Sequence, residues 1–563
     1  MDRLKTKIII EDNKNSFSYQ KSKNILNIEF NRVAFIFFIF FIIYIIYSIH
    51  LIHLGSRQSK LDDKKDNSIF NSKLSRADIV DNNGNYLAKT VTSIDIGIKT
   101  SEVIDKKILL INLKNIFPKK NFAKIEKQLD TKKFFWFEKK ISEENYEKIM
   151  KLGDKSIKPE EKILRIYPQK NLFSHIIGQI DDDNNGISGL EKTYNKTLLS
   201  SNKPVKLTVD KDIQFLVRKE LSKYQEIFRS KGSAAILMNV KNGGVISLVS
   251  LPDFNPNERK NITDVNFINR ITKGKYELGS VFKTFTFASA LNEDLIEPET
   301  EFSDLPKSIK CSKFTIKEYD EDIPPNLTAE QILIRSGNIG SVRIAQKIGP
   351  ENFKSFLEKI GVLSQINFDI EEVAEQENFN FGKCKLATAS YGHGVTTTIL
   401  QLAKGYAILS NGGFDITPTL VKTNFSNNMT RDRLLKKGVS QKVVNALRKI
   451  VNLEEGTARL ADVKNYQIAG KTGTAQQPVD GKYSRTKINT FASIFPSSDP
   501  KYVFIVMLDS PKTSSSYVYT YRHKKGTQTG TPYNTAGWTS VEVAGKIIDK
   551  IGPILATKYM EIN

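Results

Sequence analysis

Three short segments hold side chains whose types and spacing suit acyl transfer. The first is Ser280-Val281-Phe282-Lys283, preceded by Gly279. Apolar residues follow at Phe285, Phe287, Ala288 and Leu291, which places the serine at a predicted helix start. Backbone N–H groups there lack intrahelical partners and are free to face a developing oxyanion. Lys283 is three residues on, so it shares the serine's helix face. If buried, its amine gives up its proton more easily and becomes a base for the hydroxyl. The pattern alone decides little, because Ser18 to Lys21 and Ser200 to Lys203 also fit it.

The second segment is Ser336-Gly337-Asn338. A serine hydroxyl relays a proton to a leaving nitrogen, and an asparagine amide holds a substrate carbonyl. A polar loop or helix cap explains the same residues in isolation. The third is Lys471-Thr472-Gly473-Thr474, after the strand-like Tyr466 to Ala469. Gly473 lets a substrate backbone lie close, and lysine and threonine donors suit a carboxylate. A phosphate-binding loop is the rival for Gly470-Lys471-Thr472. It needs a glycine five positions before Gly470, where Asn465 stands, so that reading fails.

Composition narrows the field further. The five histidines, His50, His53, His175, His393 and His523, show no metal-ligand spacing. A lysine or carboxylate base is therefore expected, with no metal and no cofactor. The net charge of +22 raises a nucleic-acid reading, yet lysines are spread throughout and no such module's signature appears. Cys311 and Cys384 are the only cysteines, with no C-x-x-C pair. They make one disulfide outside the cytoplasm or stay as two thiols, and spacing does not decide between these.

These residues need elements to position them. Val33 to Leu54 is almost wholly apolar and long enough to cross a bilayer, and no cleavage site follows it. Lysines and arginines flank it on both sides, so charge does not set its orientation. Residues 55–75 read as a polar stalk. A strand and turn are predicted at Ile79 to Gly84, and a strand at Ile94 to Ile98. Helical spacing is expected through 101–165. Ala234 to Val240 and Val245 to Ser250 flank Asn242-Gly243 as a hairpin. A mostly helical middle runs from Ala288 to Leu409. Strands are expected at Thr490 to Phe495 and Tyr502 to Leu508, and a helix at Val541 to Ile551. Pro511 to Gly537, rich in small polar residues, reads as a mobile loop near the site. The order implies an α+β domain whose sheet is completed by the C-terminal part.

The motifs S-x-x-K, S-x-N and K-T-G, in this order, are those of penicillin-recognising serine enzymes. The chain resembles the class B penicillin-binding proteins, division-specific transpeptidases above all. Arg76 to Ala88, Arg165 to Pro168, His175 with Gly178, Gly186 to Glu191, Lys206 to Gln214, Tyr391 to Gly394, Gln401 to Ala403, Asn411 to Gly413 and Ala469 to Gln476 extend the likeness over nearly the whole length. Departures at Ala77, Asp78, Asn82, Asn83 and Leu278 remove no catalytic group. No glycosyltransferase-like region precedes the catalytic unit and no PASTA-like repeats follow it, unlike class A and some class B relatives. Ser336-Gly337-Asn338-Ile339-Gly340 looks like the division type, since elongation relatives often carry Asp at the Asn position.

The resemblance implies a transpeptidase domain of the serine β-lactamase-like fold, with a central antiparallel sheet flanked by helices. It is preceded by a mixed α/β pedestal of the dimerisation type and one transmembrane helix. Expected limits are 1–32 for a cytoplasmic tail, 33–54 for the span, 55–205 for the pedestal and 206–563 for the transpeptidase domain outside the cytoplasm. Ser280 is then the nucleophile, Lys283 its base, and Ser336 and Lys471 the route of a proton to the leaving group. Asn338, Thr472, Gly473 and Thr474 bind substrate. The implied partners are D-Ala-D-Ala stem peptides, β-lactams and, in the membrane, an FtsW-type glycosyltransferase with other division proteins. An elongation enzyme, a carboxypeptidase, a β-lactamase, and a non-catalytic sensor or scaffold are the alternatives.

Overall fold

The computed structural model describes residues 9–12, 16–19, 25–62, 76–258, 267–312, 314–370, 374, 379–380, 382–422, 431–479, 482–522 and 525–559. They form two compact units, Met1–Ser75 and Arg76–Asn563. The first holds a short hairpin, Ile9–Asp12 with Ser16–Tyr19, and the helix Ile25–Asp62. Within that helix Ala34–Ile52 is apolar, outward-facing and long enough to cross a membrane. The helix continues through the first residues of the expected stalk, and 63–75 lie outside the described residues.

The second unit begins with the pedestal. Tyr86–Lys99 is its longest strand, pairing with Phe134–Glu138 and Ile157–Ile166. Its near end pairs with Ile79–Val80, which runs parallel to Val205–Lys206. The helices Lys106–Ile116, Phe122–Thr131 and Glu143–Met150 close a small core of Ile96, Ile98, Leu109, Leu113, Phe135, Phe137 and Ile149. The all-helical expectation for 101–165 is thus corrected. Ile157–Ile166 exposes Glu160, Glu161 and Ile163, so its composition carries no apolar alternation. Phe134–Glu138 alternates, but only over five residues.

The base of the pedestal has no core of its own. Ala77, Ile79, Tyr167, Phe173, Leu190 and Leu198 join the main core, which runs on to Leu555. That core lies against an antiparallel sheet in the order Ala469–Val479, Lys482–Phe495, Tyr502–Asp509, Gly232–Asn239, Val245–Leu251. Two adjacent strands, one of them an edge, come from the start of the domain and three from its end, as the α+β reading requires. Lys211–Ile227 and the last helix, Ser540–Tyr559, pack together on the sheet. Lys283–Asn292, Asn338–Ile348, Ile399–Ser410 and Val439–Asn452 make the helical layer. Pro511 to Gly537 is not the free loop expected. Val518–Thr520 pairs with Thr527–Thr529, and Tyr519 is buried, donating to the Trp538 carbonyl at 2.7 Å.

A buried ionic cluster ties the pedestal base together. Arg76 and Arg165 both donate to the Glu191 carboxylate, Arg165 at 2.8 Å, and all three side chains are 0–1% exposed. Arg76 also bonds the Asn195 amide oxygen at 2.7 Å. One carboxylate serves two guanidinium groups, so its removal leaves two buried like charges with only Asp78, 4.0 Å from Arg165, to offset them. Glu191→Ala should destabilise the chain by about 3–5 kcal/mol. Denaturant unfolding followed through Trp136 in the pedestal checks this, and a loss under about 1 kcal/mol would contradict it.

Candidate active site

The turn at Ser280 and the sheet edge meet through two glycines. Gly279 has φ +61° and opens the short 3-10 turn Gly279–Phe282 that leads into the helix Lys283–Asn292. A Cβ on Gly279 would lie 2.9 Å from the Thr474 carbonyl oxygen, and one on Gly473 only 2.2 Å from that of Leu278. Side chains at either position would push the turn off the strand. The glycines of the first and third motifs therefore answer each other across one contact. Lys471 to Thr474 lie within the strand Ala469–Val479 and not after a strand, which corrects the expected Tyr466 to Ala469.

The helix behind Ser280 is held from below. Thr284 shares a hydrogen bond with the Tyr406 hydroxyl, which donates to the Val281 carbonyl at 3.1 Å. Thr286 donates to the Ser390 carbonyl at 2.7 Å, and the Gly279 amide to that of Gly392 at 3.3 Å. Every side chain of that helix is buried, Lys283 included at 2% exposure.

The Lys283 amine donates to the Ser336 carbonyl, to Asn338 Oδ1 at 2.7 Å and to Ser336 Oγ at 3.2 Å. Lys471, wholly buried, donates to the same Ser336 Oγ at 2.9 Å. Ser336 has φ +61°, a costly conformation for a residue with a side chain. It aims one hydroxyl between two amines. Both lone pairs of that oxygen are occupied, so its single O–H proton is left to point elsewhere. Burial pulls Lys283 down to about 7, against the opposing pull of the Glu318 carboxylate. Burial, and then the Lys283 charge, holds Lys471 well below the ordinary lysine range.

Four expected site residues, Lys283, Ser336, Asn338 and Lys471, are thus one hydrogen-bonded group. Ser280 is half-exposed and joins them through its backbone neighbours; among the described residues its hydroxyl has no hydrogen bond of its own. Thr472 shares a hydrogen bond with Thr457 at 2.8 Å, and Thr474 Oγ1 accepts from the Ala536 amide at 2.9 Å. Ala536 belongs to the stretch expected to be mobile. Sequence reasoning missed Thr457, Glu318 and a cluster beside the nucleophile. In that cluster the buried Glu277 accepts from Tyr483 at 3.2 Å and lies 3.6 Å from His393 Nδ1. Burial raises Glu277 and lowers His393, so both favour their neutral forms. No group of three or more potential metal ligands occurs among the described residues.

A partly exposed serine at a turn, a buried lysine one helical step away and a second buried lysine across a serine hydroxyl are groups that suit a serine acyl-transfer enzyme. The penicillin-binding protein transpeptidase domain matches residues 233–527, and the penicillin-binding protein dimerisation domain matches 72–232. The probable peptidoglycan D,D-transpeptidase FtsI of Caulobacter vibrioides is 26% identical over 496 residues, 86% of this chain and 82% of that protein. The stage V sporulation protein D of Bacillus subtilis is 27% identical, over 78% of this chain and 74% of its own. A crystal structure of penicillin binding protein 3 from Mycobacterium tuberculosis shares the fold at TM-score 0.62, with 23% identity, covering 85% of this chain and 96% of that one.

The chain belongs to the penicillin-binding protein transpeptidase family, in the class B arrangement of a dimerisation domain before the transpeptidase domain. Its activity is that of a serine-type D-Ala-D-Ala transpeptidase of peptidoglycan.

The glycine contact sets the distance between nucleophile and strand. Gly473→Ala should slow acylation by benzylpenicillin at least about 100-fold, the usual cost of a misplacement near 1 Å. Stopped-flow acylation checks this, and a change under about threefold would contradict it.

Proposed function

We propose that the chain cross-links septal peptidoglycan during cell division, through an acyl-enzyme on Ser280. The observation that carries the chemistry is the shared Ser336 hydroxyl, hydrogen-bonded to both Lys283 and Lys471. The division role is supported by the S-x-N-x-G run at Ser336 to Gly340 and by the Caulobacter relative.

In the first half-reaction Ser280 Oγ attacks the carbonyl carbon of the penultimate D-Ala, and its proton passes to neutral Lys283. The oxyanion is held by the backbone N–H groups of Ser280 and Thr474, donors worth about 3–4 kcal/mol each in such holes. The peptide C–N bond then breaks. The leaving D-Ala nitrogen takes the Ser336 hydroxyl proton, and Lys471 replenishes it. Thr472 and Thr474 bind the leaving carboxylate, while Gly473 and Asn338 receive the stem backbone. Thr474 keeps its bond from the Ala536 amide and turns its O–H toward that carboxylate. In the second half a neighbouring stem's amine attacks the ester carbonyl and gives a proton to Ser336, whose own proton returns to Lys471, while the ester C–O bond breaks and Ser280 Oγ takes its proton back from Lys283.

The apolar helix anchors the chain in the inner membrane, with the tail inside and the body outside. The disulfide between Cys311 and Cys384 supports that side, because disulfides persist in oxidising compartments. An FtsW-type glycosyltransferase is the membrane partner this role calls for.

Neutral Lys283 is the working form, so the rate of acylation should rise with pH and reach half its plateau near pH 7. A profile flat from pH 5.5 to 8.5 would remove Lys283 as the base. Depletion of the chain in its own cells should give filaments with unfinished septa, rescued by the wild type and not by Ser280→Ala. Rounded cells that still divide would point to an elongation enzyme.

A further inference from the structure

Asn338 owes its place to a segment about 20 residues earlier in the chain. The strands Ser308–Cys311 and Phe314–Lys317 form a hairpin, and Glu318 follows its second strand. The Glu318 carboxylate accepts from the backbone N–H of Asn338 at 2.6 Å on one oxygen and from that of Ile339 at 2.9 Å on the other. These are two of the otherwise unpaired donors at the start of the helix Asn338–Ile348. The Lys317 carbonyl accepts from Asn338 Nδ2 at 2.8 Å, which turns Oδ1 toward the Lys283 amine. The hairpin is fixed at both ends. Its tip is joined by Cys311–Cys384 to the helix Lys383–Ala389, and its open end is closed by the Glu318 amide on the Lys307 carbonyl at 3.0 Å.

We propose that Glu318 is a positioning residue for the transpeptidase reaction, holding the Ser336–Asn338 turn around the Lys283 amine and setting the electrostatic field that amine experiences. The inference rests on the role given above to Lys283. A carboxylate at this point does two things. It is a rigid two-pronged cap that fixes where Asn338 Oδ1 points. It is also the negative charge that partly offsets the cost of a buried cation beside Lys471. Among the described residues, the charged groups that act on the amine are Lys471 from the sheet and Glu318 from the hairpin. Tyr319 and Asp320 flank Glu318 on its own segment, and Ser336 and Asn338 supply only neutral acceptors. Loss of the Glu318 charge therefore moves Lys283 toward its neutral form.

The test uses the full chain in detergent, as wild type, Glu318→Gln and Glu318→Ala. The glutamine variant carries the decision, because it keeps the shape and one acceptor oxygen while removing the charge. Two profiles are taken against pH: modification of the Lys283 amine by acetic anhydride, read by peptide mass, and the rate of acylation by benzylpenicillin. In Glu318→Gln both midpoints should move about half to one pH unit lower, with the acylation plateau down by tenfold or less. In Glu318→Ala the plateau should fall about 100-fold, because no acceptor remains for the two amides. Labelling and acylation profiles of Glu318→Gln that both superimpose on those of the wild type would overturn the inference. A wild type that penicillin never acylates would sink the proposed function instead, and the labelling profile would still decide the role of Glu318.

Discussion

Two lysine amines are buried against one serine hydroxyl, and the rest of the domain serves that arrangement. Their bonds to Ser336 Oγ put them at most about 6 Å apart. Two full charges at that distance repel by about 3 kcal/mol at an effective dielectric near 20, before any desolvation. Both amines are also taken out of water. The protein therefore favours a state in which at least one is neutral. A neutral amine is the form that the base proposed for Ser280 needs, and the other amine is the one proposed to serve the Ser336 proton.

Such a site survives only in a scaffold that cannot relax around it. Gly279 and Gly473 bring turn and strand into backbone contact, and Tyr406 locks the nucleophile helix from the opposite side. Ser336 is kept in a left-handed conformation by helices on either side of it, Ala329–Ile334 before and Asn338–Ile348 after. The sheet draws its strands from both ends of the domain, so the third motif cannot form until the C-terminal strands are in place. The pedestal base contributes to the same core, which makes Arg76, Arg165 and Glu191 part of the catalytic body's foundation and not a detachable spacer.

Much of this was legible beforehand. The three motifs are local patterns, and one residue or more from each comes together in the group of Lys283, Ser336, Asn338 and Lys471. The hairpin at Ala234 to Ser250 and the late strands were visible because buried strands leave uninterrupted apolar runs. Ile157–Ile166 was hidden, since a strand whose faces carry Lys158, Glu160, Glu161 and Lys162 leaves no such trace. Pro511 to Gly537 looked loose by composition, but Tyr517, Tyr519 and Trp538 pin it, and nothing in the sequence tells these aromatics from the exposed Tyr533. Glu318 and the Cys311–Cys384 pair were beyond reach for another reason. Each acts across a turn or between distant segments, 20 and 73 residues away, where spacing says nothing of distance.

Every step proposed for the site passes through acylation of Ser280. Intact-protein mass spectrometry after exposure to benzylpenicillin, followed by peptide mapping, tests it most directly. A stable adduct of one penicillin on the peptide carrying Ser280 is the predicted result. An adduct on another residue, or none on a chain shown to be folded, would contradict the site itself; one that is quickly hydrolysed away would contradict a wall-building enzyme in favour of a β-lactamase.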